Sequence, residues 1–200
     1  EPLAREILDS GQQHERYTLA VLGEYRRNFA NPLLNILEKI ERGVRLILDG
    51  VFNHSSSDSV YFDRYHRYAP PEGGCEAASS PYRSWYNFFG SGPCDGQTYE
   101  AWFGFDSLSV FRDDSDGVRD FFYRAPGANV TQYWYDRGAA GWRFDVANEI
   151  SHDWWNEYRP LAKGYKADGP LVGEIWEDAS QFLAGDQLDS VMNYRFRKNV

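Results

Sequence analysis

The chain has no apolar run near the ~18 residues that would cross a bilayer, so no transmembrane span is expected and a membrane is not expected among its partners. No secretory leader is visible; the chain opens with Glu1-Pro2 and an amphipathic polar stretch. Positive charge is in deficit: 21 Lys and Arg stand against 30 Asp and Glu, for a net charge of −9. That removes the basic footprint of a nucleic-acid binder and otherwise speaks only to solubility. Cysteine is nearly absent. The two present, Cys75 and Cys94, lie in Gly-rich loop sequence. A disulfide between them would point to an oxidising compartment, but a count of two leaves both states open. No internal repeat or low-complexity tract occurs.

Aromatic residues are abundant, at 17 % with 7 Trp and 14 Tyr. They suit core bulk or a site that stacks flat ligand rings. Two hundred residues can form one domain with a sizeable core. Residues 1–31 are mostly polar and read as two helices, about 2–10 and 14–29. A firmer helix starts near Pro32, with Leu33, Leu34, Ile36, Leu37 and Ile40 on one face, and ends at Arg42-Gly43. Residues 44–52 are β-branched and apolar almost throughout, the pattern of a strand buried on both faces, and they lead into Asn53-His54-Ser55. Residues 55–112 carry no helical period but many aromatics, Pro70-Pro71, Gly73-Gly74 and both cysteines. So long a stretch reads as an inserted lobe of short strands and loops.

Helical signal returns from Asp113 to Arg137, with a break near Pro126-Gly127 and a helix over about 129–137 that ends at Gly138. A buried strand over Gly141–Val146 follows. Next come a helix from His152 to Lys166 with Trp154, Trp155, Tyr158 and Leu161 inward, and a strand from Leu171 to Trp176. A short helix at 179–183 and a strand at 190–194 complete the pattern. Strands alternating with helices define an α/β protein with a parallel sheet, whose ligands gather at the C-terminal ends of the strands. The barrel-like portion comprises residues 1–54 and 113–200, with 1–31 unassigned.

Three polar clusters fall at such ends: Asp49/Asn53/His54, Arg143/Asp145 and Glu174/Trp176. Arg143 and Asp145 share one face of their strand, and Trp142, Phe144 and Val146 the other. Asp145 and Glu174 are 29 residues apart, one strand–helix–strand step. Neighbouring strands ~4.8 Å apart would bring the two carboxyl groups within roughly 5–6 Å, the separation of a retaining glycosidase. Arg143 would keep Asp145 ionised as nucleophile. Burial between Val172 and Ile175-Trp176 would raise Glu174 into the role of acid/base. A structural ion pair is the plainer reading of Arg143–Asp145, and a buried partner for a base elsewhere the plainer one of Glu174. His54 either donates to a sugar hydroxyl or caps loop carbonyls. Asp49 supports the arginine from behind. Trp102, Phe103 and Trp176 are candidates for stacking on sugar rings, each of which could equally be packing. A magnesium-dependent barrel lyase is the physical rival. Arg143 would compete with such a metal for Asp145, and no lysine on the strands could serve as base.

These clusters resemble those of the α-amylase superfamily, glycoside hydrolase family 13, and more narrowly its neopullulanase/cyclomaltodextrinase/maltogenic amylase branch. The resemblance rests on Asp49-Gly-Val-Phe-Asn-His54, Gly141-Trp-Arg-Phe-Asp-Val-Ala-Asn-Glu149, Val172-Gly-Glu-Ile-Trp176, Tyr99–Leu108 and Leu188–Phe196, in that family's order and spacing. It implies part of a (β/α)8 barrel, about strands three to six, with a lobe inserted after the third strand. It also implies retaining cleavage of α-1,4 or α-1,6 glucosidic bonds in starch-like polysaccharides, pullulan or cyclodextrins. Asp145 would be the nucleophile and Glu174 the acid/base. His54 and Arg143 would bind the sugar at the cleavage point, while Asn148, Glu149 and Trp176 shape neighbouring subsites. No cofactor is implied for the chemistry. A structural calcium is allowed by Asn53, although Asn148-Glu149 stands where plain α-amylases carry Lys-His. The family's third carboxylate has no match, so the chain reads as a fragment expected to be inactive alone. A homodimer is open for the full-length protein, and a secreted bacterial setting is favoured over a cytoplasmic one. A non-catalytic glucan-binding relative is the other alternative; such relatives usually lose one of the two carboxylates or the arginine.

Overall fold

A computed structural model describes residues 44–90, 94 and 98–198. The helices expected over 2–10, 14–29 and 32–43 lie outside the described residues. The strands are β1 (Ile47–Gly50), β2 (His54–Ser56), β3 (Leu108–Val110), β4 (Gly141–Phe144), β5 (Leu171–Gly173) and β6 (Ser190–Val191). The helices used below are α1 (Val130–Asp136), α2 (His152–Tyr165) and α3 (Tyr194–Lys198). The chain divides into two compact units. Among the described residues one unit holds His54–Gly117, and the other holds 44–53 and 118–198. No described helix is long and apolar enough to cross a membrane.

The second unit is built on a four-stranded sheet in the order β1-β4-β5-β6, every pair parallel. Successive strands laid side by side in one direction are the pattern of a (β/α) barrel; a doubly wound sheet reverses its order midway. The register sorts the side chains into two rows. Leu48, Trp142 and Leu171 align across the strands, as do Gly50, Phe144 and Gly173. This face is buried under aromatic rings. Phe52 lies 4.3 Å from Phe122 and Phe144 4.8 Å from Trp155, ring centre to ring centre. The opposite face carries the aligned row Asp49, Arg143 and Val172.

β1 is shorter than the expected strand and is not buried on both faces: Ile47 and Asp49 are exposed. An unbroken β-branched run does not distinguish one-sided from two-sided burial, and here the second face is the charged row. The expected strands over 171–176 and 190–194 are also shorter. Glu174 follows β5 directly, and α3 starts at Tyr194.

The helices follow their sequence signals closely. Asn129 caps α1 by accepting from the Gln132 N–H at 2.8 Å, and Gly138, in the left-handed region at φ 91°, stops the chain after it. Ser151 caps α2 through the Trp154 N–H. Trp154, Trp155, Tyr158 and Ala162 form the buried stripe of α2. Leu161, expected inward, is only half-buried; the four-residue step from Tyr158 puts Ala162 on the buried stripe in its place. Between Gly117 and α1, Asp120–Arg124 forms one wide helical turn that buries Phe121, Phe122 and Tyr123.

Among the described residues the first unit has no long element. β2 pairs antiparallel with β3, and single bridges join Tyr86 to Phe111 and Phe88 to Tyr99. Its core is rings: Phe62 lies 4.6 Å from Tyr99 and 4.7 Å from Tyr86. Buried hydroxyls pair as well, with Ser55 Oγ 2.9 Å from Ser109 Oγ. A disulfide joins Cys75 to Cys94, with Cα atoms 5.4 Å apart.

Two glycines test this packing with opposite signs. A Cβ on Gly141 would meet the Pro170 carbonyl oxygen at 2.5 Å, a backbone contact that cannot swing away. Gly141→Ala should destabilise by about 1–3 kcal/mol. Gly164, on the exposed side of α2, has nothing within 4 Å of its would-be Cβ. Gly164→Ala should stabilise by about 0.5–1 kcal/mol. Urea unfolding of both variants measures the two effects.

Candidate active site

The site forms where β1, β4 and β5 end, and its hub is Arg143. Nη1 donates to Asp49 Oδ1 at 2.7 Å and to Asp145 Oδ1 at 2.8 Å. Nη2 pairs with Glu174 Oε2 at 2.7 Å, and Nε donates to the Met192 sulfur at 3.4 Å. One planar cation thus holds three carboxylates and a thioether. The fork geometry of a guanidinium allows this where an ammonium would not.

Glu174 is held from every side. Oε1 accepts from the Tyr194 hydroxyl at 2.7 Å and from the Trp176 indole N–H at 3.1 Å. Oε2 accepts from the Val146 N–H at 3.3 Å. The Ala147 N–H donates to the Glu174 carbonyl at 3.1 Å. Both N–H groups are aimed by Val146, whose backbone sits in the left-handed region at φ 40°, ψ 49°. A β-branched residue is a genuine outlier there. Such strain, of order 1–3 kcal/mol, persists only where the surroundings over-determine it.

Arg143 takes Asp145 on Nη1 and Glu174 on Nη2, so the two carboxyl groups share one guanidinium. The charges fall the opposite way from the expectation. Burial alone would push the Glu174 carboxyl up, but the bonds from Tyr194, Trp176 and the Val146 N–H outweigh it and hold the group at about 2. Burial pushes Asp145 up, and the Glu174 carboxyl adds to that, against the pull of Arg143. Expecting Glu174 to be the raised group weighed only its sequence neighbours. Two of the three donors that reverse this, Tyr194 and the Val146 N–H, come from 20 and 28 positions away, and the third is the indole N–H of Trp176. Burial lowers the Arg143 guanidinium, but Asp49 and Asp145 more than compensate, and it stays charged.

The other expected residues are placed as follows. Asp49 does support Arg143 directly. Trp176 is half-exposed, with its indole N–H on Glu174. Asn148 and Glu149 are exposed on the turn after Asp145, where Asn148 Nδ2 donates to Glu149 Oε1 at 3.3 Å. Asn53 is buried. His54 belongs to the other unit, where it is buried and stacked on Trp102 at 5.4 Å. Burial lowers it to about 4, so it is a neutral imidazole near pH 7. Among the described residues no group of three or more His, Cys, Asp or Glu is arranged to hold a metal ion.

Tyr194 and Met192 escaped the sequence reading. Both lie just past β6, and strand-end logic applied to that strand would have found them.

Carboxylates on adjacent parallel strands, joined by an arginine at the strands' C-terminal ends, place this protein among the α/β-barrel enzymes with paired-carboxylate sites. More narrowly, it belongs to the α-amylase family: the model of the α-amylase catalytic domain matches residues 30–200. An amylopullulanase of Thermoanaerobacter thermohydrosulfuricus is 42% identical over 181 residues, covering 80% of this chain and 12% of that protein. Neopullulanase 2 of Thermoactinomyces vulgaris is 36% identical over 166 residues, covering 82% and 26%. The crystal structure of a debranching enzyme from Nostoc punctiforme superposes with a TM-score of 0.66 at 33% identity, covering 82% of this chain and 33% of that one. The chain therefore corresponds to part of a barrel and spans a third or less of the length of each of these relatives.

The Glu174 carboxyl sits below its ordinary value of about 4.3, so its ionised form stabilises the fold. That contribution is complete above about pH 5 and is lost as pH falls toward about 2. Glu174→Gln should therefore lose stability relative to the parent at pH 6, and the gap should narrow at pH 3. Urea unfolding at the two pH values checks it; a gap that does not change with pH contradicts this account.

Proposed function

We infer that this chain carries the central catalytic segment of a retaining hydrolase acting on α-glucosidic bonds, in an α-1,4-linked and α-1,6-branched glucan or a cyclic relative of one. The observation that carries the reading is the Asp145–Glu174 pair on adjacent parallel strands, bridged by Arg143, within a chain of the α-amylase family. The relatives' names, neopullulanase, cyclomaltodextrinase and amylopullulanase, point to the substrate class.

In the first step the Asp145 carboxylate attacks the anomeric carbon. The bond to the leaving oxygen breaks, and that oxygen takes the proton of Glu174. In the second, Glu174 takes a proton from water, whose oxygen displaces Asp145 from the same carbon. The reaction requires one neutral and one charged carboxyl, with the proton on Glu174. Arg143 keeps the Asp145 anion in place and balances charge as the glycosyl cation develops. Asp49 fixes the arginine from its far side. Trp176, Asn148 and Glu149 would contact the sugars on either side. The disulfide is the support for an extracellular setting. The non-catalytic alternative has less in its favour, since both carboxylates and the arginine are present and engaged with one another.

The test uses the full-length protein that carries this segment. Glu174→Gln should lose about 10²–10⁴-fold on maltodextrin, the range of general-acid catalysis, yet keep most of its first-step rate on α-glucosyl fluoride, whose leaving group needs no proton. Asp145→Asn should lose both. Equal losses on the two substrates for Glu174→Gln would sink the assignment of the acid.

A further inference from the structure

Glu174 is unusual in how completely its acceptors are filled. Arg143 of β4 and the Val146 N–H occupy Oε2; Trp176 and Tyr194 occupy Oε1. Two of these four donors, Arg143 and the Val146 N–H, are fixed by a sheet or a tight turn, and Trp176 lies on the bend just past β5. The fourth, Tyr194, is the first residue of α3, a short helix of 5 residues. Its ring lies 5.9 Å from that of Trp176, tilted rather than packed flat. The same ring lines a cavity of about 370 Å³ together with Ile175, Asp178, Leu183, Met192 and Arg195. Tyr194 therefore has its hydroxyl on the acid/base candidate and its ring on the wall of an adjoining space.

We propose that Tyr194 is a positioning residue that holds Glu174 in its charge-bearing orientation until the adjoining cavity is filled, and that an α-glucan segment entering the cavity moves the ring and releases the carboxyl to take up its proton. This rests on the glycosidase reading above. It also accounts for a mismatch in that reading: the reaction needs a proton on Glu174, while the donors around it favour its charge. Removing one neutral donor from a carboxylate raises its affinity for a proton. Arg143 does not leave, because Asp49 and Asp145 hold it on β4. The charged and titratable groups facing Glu174 are Arg143, Asp145 and Tyr194, with Asp49 acting through Arg143. Near Tyr194 itself the further charges are Asp178 and Arg195, which pair at 3.6 Å.

The experiment compares the full-length protein with its Tyr194→Phe variant and with 3-fluorotyrosine at position 194, a stronger donor of the same shape. Isotope-edited infrared titration of the Glu174 carboxyl comes first, because it needs no activity. Tyr194→Phe should move the titration to higher pH by about one unit, the size of one hydrogen bond to a charged group. Fluorotyrosine should move it lower. With maltohexaose bound, all three proteins should titrate together. Kinetics follow: the acid limb of kcat/KM, which reports the free enzyme, should shift in the same order, while that of kcat, which reports the complex, should not. A Glu174 titration indifferent to the hydroxyl overturns the proposal, and so does a difference that persists with maltohexaose bound. If the titration shifts as expected but no variant and no parent cleaves glucan, the glycosidase reading fails while the hold of Tyr194 on Glu174 stands.

Discussion

The guanidinium of Arg143 is the constraint on which the site depends. Three carboxylates converge on the end of one sheet, and without a cation among them their repulsion and desolvation would exceed what local packing returns. The arginine turns that convergence into a single hydrogen-bonded unit by reaching Asp49, Asp145 and Glu174 at once. It can do so because the parallel register sets Asp49, Arg143 and Val172 side by side. The strands' C-terminal ends then deliver Asp145 and Glu174 one residue past their pairings. Packing on the opposite face makes the register rigid. Large rings from β4, α2 and the wide turn at 120–124 interlock beneath it, and a slip of one residue would bring Arg143 into that aromatic layer.

A second constraint is the strained turn after β4. Val146 accepts a left-handed backbone so that two consecutive N–H groups face Glu174. The turn ties the strand that bears the nucleophile candidate to the residue that bears the acid candidate. It also supplies part of the positive potential that holds Glu174 ionised. Strain, donors and arginine act on the same carboxyl, so the site is preorganised around charge on Glu174. Chemistry requires that balance to tip when substrate arrives.

The alternation of strand and helix, the helices over 129–137 and from His152, and the Arg143/Asp145/Glu174 set were legible in the sequence because each rests on local periodicity or strand-end position. The charged face of β1 was not, since a run such as Ile47-Leu48-Asp49 does not say which side meets the aromatic layer. The distribution of charge between Asp145 and Glu174 was not legible either. On Glu174 it is decided by Tyr194 and the Val146 N–H, which are remote in the sequence, and by the Trp176 indole N–H, whose direction the apolar neighbours Val172 and Ile175 do not reveal. Tyr194 was read as the tail of a strand, and only the early start of α3 turns its hydroxyl onto Glu174.

The most direct measurement is to trap the covalent intermediate. The full-length protein would be treated with 5-fluoro-α-glucosyl fluoride, whose second fluorine slows the release step, and digested for mass spectrometry. The account predicts a single glycosyl adduct on the peptide holding Gly141–Glu149, attached at Asp145 and lost on Asp145→Asn. An adduct on Glu174, or turnover to inverted product with no adduct at all, would contradict it.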